Sequence, residues 1–255
     1  MFPNMIFRVF AAVLLGWAAL SLPARAQTSP TGEHPQVVLE LYTSQGCVQC
    51  PRANRLVGVF SREPGVLALT FPVGIWDYLG WRDTLARPAY SDRQQAYATG
   101  LRIRGRFTPQ LVLNGVRPIS GSDWDDARAA LIDTRHDPRP EGAPEVAISR
   151  LRNDRVRVSI AANARGADAD IWLVAFDPGP VIVVVGSGVN VNRSISHYNL
   201  VDQIWRVGSW NGEATWFERD HCSPECAVLV QRPGGQILSA AYTYRPARYP
   251  QRQIY

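Results

Sequence analysis

Lysine is absent from this chain: all 27 basic side chains are Arg. We read that as a bias of composition, not as a functional signature. The 22 acidic residues are interleaved with the arginines. There is no basic block and no aromatic RNA-binding pattern, so no nucleic-acid partner is expected. Tandem repeats and low-complexity tracts are missing too. Histidine is scarce, with 4 in the chain. His34, His136 and His197 show no ligand spacing, so no resident metal or organic cofactor is expected. Pro51 stands where haem attachment needs His after a Cys-x-x-Cys pair. Gly186-Ser187-Gly188 lacks the rest of a nucleophile elbow. Asn192-Arg193-Ser194 matches a glycosylation acceptor, a weak pattern. Beyond the first residues no apolar run is long enough to span a bilayer.

Those first residues read as an export signal. Arg8 gives a weakly positive start, Val9 to Leu22 an apolar core, and Ala24-Arg25-Ala26 a small-x-small cleavage site before Gln27. The apolar run is short for an anchor, and Arg25 with the Pro/Ser/Thr stretch after it fits cleavage. Residues 1–26 are therefore expected to be removed, leaving a periplasmic or secreted protein with no membrane contact. Removing Arg8 and Arg25 lowers the formal charge from +5 to +3. Export implies an oxidising compartment, where cysteines persist as disulfides. The four cysteines form two close pairs, Cys47 with Cys50 and Cys222 with Cys226, and leave none over.

The chemistry concentrates in Val37 to Arg52. Val37 to Tyr42 is a β-branched and apolar run of strand length. Thr43, Ser44, Gln45 and Gly46 break it, and Thr43 or Ser44 is a candidate helix cap. Pro51 fits only the first turn of a helix and places Cys50 near its start. Cys47 and Cys50 are then within bridging reach. A helix start offers free N–H groups and partial positive charge, which favours the reactive thiolate form of Cys47.

Read in order, the first half gives strand, helix, strand, helix, strand, strand, helix. The helices are Arg52 to Arg62, with Leu56, Val59 and Phe60 as the buried stripe, Pro88 to Leu101, with Tyr90, Gln94 and Tyr97 on one side, and Asp123 to Asp133, opened by a capping box of Ser122 and Asp125. Val66 to Val73 reads as a strand buried on both faces. Asn114-Gly115 joins Pro109–Leu113 to Val116–Ile119 as a hairpin. These features predict a mixed sheet with flanking helices over 37–133, with a right-handed crossover. A mobile lead-in at 27–36 precedes it, and a Pro-containing linker at 134–144 follows. Eight short β-type runs in 145–255 predict a separate all-β, sandwich-like domain.

The strand before Cys47-Val48-Gln49-Cys50, the element order and Thr108-Pro109 ahead of the hairpin resemble the thioredoxin superfamily. More narrowly, Glu40-Leu-Tyr-Thr-Ser-Gln-Gly-Cys-Val-Gln-Cys-Pro, Trp76-Asp-Tyr-Leu-Gly-Trp-Arg-Asp and Phe-Thr-Pro-Gln are similar to a bacterial family of secreted thioredoxin-like proteins, the domain-of-unknown-function 1223 family. The resemblance implies a thioredoxin-like fold for the first domain. It also implies a cis Pro109 that faces the cysteines, where it docks an extended substrate peptide with Thr108. Val48-Gln49 between the cysteines departs from ordinary thioredoxins, and that dipeptide affects redox poise.

Several candidate roles follow. Cys47 is expected to attack and Cys50 to resolve. Glu40 is either a buried acid that takes the proton of Cys50, or an ordinary strand Glu or Arg partner. Trp76, Tyr78 and Trp81 either line a substrate groove or cap the core, the second being the commoner use of aromatics. Asp77 and Asp83 turn that loop. Cys222–Cys226 is first a clamp on a loop, next a second redox pair, and with His221 a thiol/imidazole metal site. The expectation is an exported thiol–disulfide oxidoreductase acting on protein thiols and disulfides. The alternative is a non-enzymatic copper-binding, chaperone or interaction protein on the same scaffold.

Overall fold

Seven residues, Val37–Thr43, form β1, and all of them are buried. Such a run belongs inside a sheet covered on both faces. The computed structural model describes residues 32–166, 168–222, 224–243 and 252–254. The expected signal at 1–26 lies outside them. After β1 come α1 (Cys50–Phe60), β2 (Val66–Pro72), α2 (Pro88–Gly100), β3 (Gln110–Leu113), β4 (Arg117–Ser120) and α3 (Trp124–His136). Then follow β5 (Val146–Arg150), β6 (Val156–Ile160), β7 (Ala169–Asp177), β8 (Val181–Val184), β9 (Ser194–His197), β10 (Leu200–Trp210), β11 (Thr215–Arg219), β12 (Glu225–Gln231), β13 (Ile237–Tyr242) and β14 (Arg252–Ile254). Among the described residues no helix is long and apolar enough to cross a membrane.

β1 and β2 are parallel with α1 as the crossover, and β3 joins β1 antiparallel. The β3–β4 turn puts Asn114 and Gly115 at positive φ, closed by the Val116 N–H on Leu113 O. The Asn-Gly expectation rests on that backbone requirement.

The boundary expected at 134–144 does not divide the sheet. One mixed sheet of eight strands runs β13-β12-β7-β10-β2-β1-β3-β4, half from each part of the chain. The seam is short: Leu200 of β10 registers with Thr70 of β2. Side chains reinforce it, with Thr70 Oγ1 donating to Tyr198 O at 2.6 Å and Asn199 Nδ2 donating to Ala68 O at 2.7 Å. β2 would otherwise present an open edge, and β10 satisfies it. Face burial is readable from a sequence, whereas the partner of an edge is not.

Alternation along β1 sends Val37, Leu39 and Leu41 to one face, under Leu56 and Phe60 of α1 and Leu131 of α3. Val38 and Tyr42 face the other way, under Tyr90 and Tyr97 of α2. Over the second half of the sheet, Ile171, Leu173 and Val228 pack on Ile148 and Val158 of a three-stranded sheet, β11-β6-β5.

Three local expectations change. Val59 is exposed, and Val57 takes its place in the buried stripe of α1. The cap of α3 is Asp123, whose carboxylate accepts the N–H groups of Asp125 and Asp126, so Ser122 has no such role. The lead-in is tied down from Gly32, because Glu33 and Tyr242 exchange backbone hydrogen bonds of 2.8 and 2.9 Å.

Candidate functional site

Cys50 is the first residue of α1, and Pro51 sits in its first turn without needing a donor. Gln49 is the capping residue and its side chain makes no cap bond. Thr43 and Ser44 do not cap α1 either: Thr43 Oγ1 binds Asn54 Oδ1 at 2.8 Å, and Ser44 Oγ accepts the Gly46 N–H. Cys47 lies in the turn just ahead of the helix and is disulfide-bonded to Cys50, with Cα atoms 5.3 Å apart. Cys47 is 7% exposed and Cys50 0%. A reactant from solvent therefore meets Cys47 first, at a helix mouth that favours a thiolate.

Thr108–Pro109 is a cis peptide bond. Cys47 Sγ lies 3.6 Å from Thr108 O, so the two sequence-distant motifs meet. Trp76 Nε1 donates to Thr108 Oγ1 at 2.7 Å. The carbonyl of Pro109 accepts the Gly121 N–H and is used internally, so the carbonyl beside the disulfide is that of Thr108. Tyr78 is 75% exposed and its ring lies 6.2 Å from that of Trp76. Trp76 and Trp81 are half-buried, their indoles bonded to Thr108 and Gln45, and Tyr78 faces water.

Four hydrogen bonds, with Asp83, Trp81 and Asn190, hold the turn that carries Cys47. Asp83 Oδ2 accepts the Gln45 N–H at 2.8 Å. Trp81 Nε1 donates to Gln45 Oε1 at 2.7 Å. Asn190, from the β8–β9 connection, donates to Gln45 O at 2.9 Å and Cys47 O at 2.8 Å. Burial pushes the carboxyl of Asp83 up to about 6, outweighing three backbone N–H donors that pull it down. Asp83 had a sequence signal as a turn residue. Gln45 was legible only as a residue of the turn and Asn190 not at all, because a side-chain amide that reaches across the chain leaves no spacing pattern.

Glu40 leaves the catalytic set. Its carboxylate is fully buried and paired with Arg93 Nε at 2.8 Å, and Tyr97 OH also donates to it. That cluster sits under α2, on the face of the sheet opposite α1 and its cysteine. A residue one place along a strand points the other way, so Glu40 cannot serve Cys50. Burial alone opposes the charge of Arg93, but Glu40, Tyr97 and Tyr42 together more than offset this and raise its pKa. The Arg93 guanidinium also lies 5.2 Å from the Trp172 ring centre.

Cys222 and Cys226 are disulfide-bonded, with both residues 0% exposed. They belong to the core between the two sheets. β12 lies four strands from β1 in the sheet order, roughly 19 Å at about 4.8 Å per strand. Direct exchange between the two pairs within one molecule is ruled out by that distance, and the clamp reading remains. Among the described residues no three His, Cys, Asp or Glu side chains gather as a metal site, around His221 or elsewhere. His197, the last residue of β9, is buried, its Nδ1 3.3 Å from Val181 O. Burial lowers its pKa to about 4.

The chain belongs to the DUF1223 family, described as a protein of unknown function, whose model matches residues 38–231. No curated protein matches it. Among solved structures it is similar to the X-ray structure of protein AGR_C_4864 from Agrobacterium tumefaciens, with 26% identity and a TM-score of 0.70, covering 86% of this chain and 99% of that one. It is also similar in fold to HBP35 of Porphyromonas gingivalis, with 14% identity and a TM-score of 0.56, covering 88% of this chain and 82% of that one.

Proposed function

We propose that this DUF1223 member is an exported thiol–disulfide oxidoreductase acting on protein disulfides. Its first half is a thioredoxin-like unit whose sheet the second half completes. One observation carries the reading: a Cys-x-x-Cys disulfide at the mouth of α1 whose outer sulfur lies 3.6 Å from the carbonyl before a cis proline.

The reaction follows from exposure. In the reduced protein the Cys47 thiolate attacks one sulfur of a substrate disulfide. That bond breaks, the other substrate sulfur leaves as a thiolate and takes up a proton, and a mixed disulfide to Cys47 forms. Cys50 then loses its proton and attacks Cys47 Sγ. The Cys47–Cys50 bond re-forms and the substrate departs reduced by two electrons. A dithiol donor restores the pair, and the same steps in reverse donate a disulfide. Around Cys47 lie exposed apolar side chains on three adjoining loops: Val48, Tyr78, Leu79, Val189 and Val191. Such a rim suits an extended, unfolded segment.

Cys50→Ser removes the resolving sulfur. Under oxidising conditions it should accumulate protein partners bound through Cys47, visible as reductant-sensitive adducts, and Cys47→Ser should hold none. Equal adduct yield from both variants would refute the assignment.

A further inference from the structure

The β8–β9 connection comes from the second half of the chain and folds back over the redox pair. Tyr198, just after β9, packs so tightly on α1 that a Cβ at Gly58 would lie 2.6 Å from its ring. At the tip, residues 188–190 form a short 3-10 turn, and Asn190 is 1% exposed. Its Nδ2 carries two protons and donates both, to the carbonyls of Gln45 and Cys47. Its Oδ1 accepts from Arg193 at 3.2 Å, which fixes the amide orientation. The Cys47 carbonyl also accepts the Cys50 N–H at 3.3 Å. Asn190 therefore grips the peptide group that closes the turn between the two cysteines.

Resting on the proposed redox reading, we infer that Asn190 is a positioning residue for the Cys47–Cys50 pair. It holds the 45–50 turn in place when the disulfide opens, so that Cys50 stays within reach of Cys47. The second half of the chain thereby sets the effective concentration of one sulfur at the other. Only a primary amide suits the task. Serine supplies one donor, and aspartate would turn an acceptor towards two carbonyls that already accept.

The test is equilibration of the full chain with mixtures of reduced and oxidised dithiothreitol. As Cys47–Cys50 is reduced to two thiols, the dithiol becomes its cyclic disulfide, so two electrons balance. Asn190→Ala should lower the equilibrium constant for closing Cys47–Cys50 about tenfold, a potential about 30 mV less negative. It should also slow release of a preformed Cys47 mixed disulfide by Cys50. Asn190→Ser, which keeps one donor, should shift both in the same direction by less, and it carries the test if the alanine variant does not fold. Ser187→Ala breaks the neighbouring 2.6 Å contact with Gly80 O without touching the cysteine turn, and should leave the potential unmoved. An unchanged constant in folded Asn190 variants, or an equal shift in Ser187→Ala, overturns the inference. If wild-type Cys47–Cys50 fails to equilibrate with dithiothreitol at all, the redox reading itself falls.

Discussion

At the residue scale, Glu40 separates two accounts of this protein. Its carboxylate and Arg93 are both buried and bound to each other. Removing one charge of such a pair leaves the other uncompensated, at a cost of about 3–5 kcal/mol. Glu40→Gln should therefore lose stability of that order in denaturant titration, while the dithiothreitol equilibrium of Cys47–Cys50 stays put. A shifted potential at retained stability would return Glu40 to the redox machinery. The sequence showed that Glu40 sits inside an apolar strand, and Cys47 with Pro109 as motifs. It did not show where Glu40 finds its partner, because Arg93 lies on a helix 53 residues later. Asp83 was legible as a turn residue, but its grip on the Gln45 N–H depends on tertiary placement.

At the element scale, the loop holding Cys47 and the strand lying over α1 contain opposed titrating groups. Asp83 has its folded pKa raised from 3.8 to about 6. Its contribution is fully present below the unfolded value and is lost as pH rises through 6, by about 3 kcal/mol. His197 has its folded pKa lowered from 6.5 to about 4. Its contribution is fully present above 6.5 and is lost as pH falls towards 4, again by about 3 kcal/mol. Between pH 4 and 6 the two trends oppose each other. Relative to wild type, Asp83→Asn should weaken on acidification across that range. His197→Phe, which also removes the unpartnered Nε2, should strengthen. Denaturant midpoints at pH 4.5 and 6.5 check both, and parallel pH profiles for all three proteins would contradict the assignment. Most elements were legible from period and punctuation: Pro51 and Pro88 opening helices, Asn114-Gly115 turning a hairpin. β9 was missed because Ser194–His197 is four residues of mixed polarity, buried by what it packs on.

At the scale of the whole molecule, the two halves share one sheet. Val38, Leu69 and Phe71 from the first half sit in one cluster with Val174, Val201 and Leu229 from the second. A chain ending at residue 136 would bare that cluster and the β2 edge together, so it should aggregate or lack fixed tertiary structure by near-UV circular dichroism. The full chain should unfold in one transition. A soluble, cooperatively folded fragment would show that the halves are independent. Composition marked the change from α/β to all-β along the chain, but the seam is made by one strand register and a few side-chain bonds, with no signature in either half.

The most direct measurement is a count of thiols at each of the four cysteines after equilibration across glutathione buffers of graded ratio. Cys47 and Cys50 should open and close together as a reversible two-electron couple, with Cys222 and Cys226 staying bonded throughout. If Cys222–Cys226 opens first, or Cys47–Cys50 does not exchange in the folded protein, the assignment of the redox site is wrong.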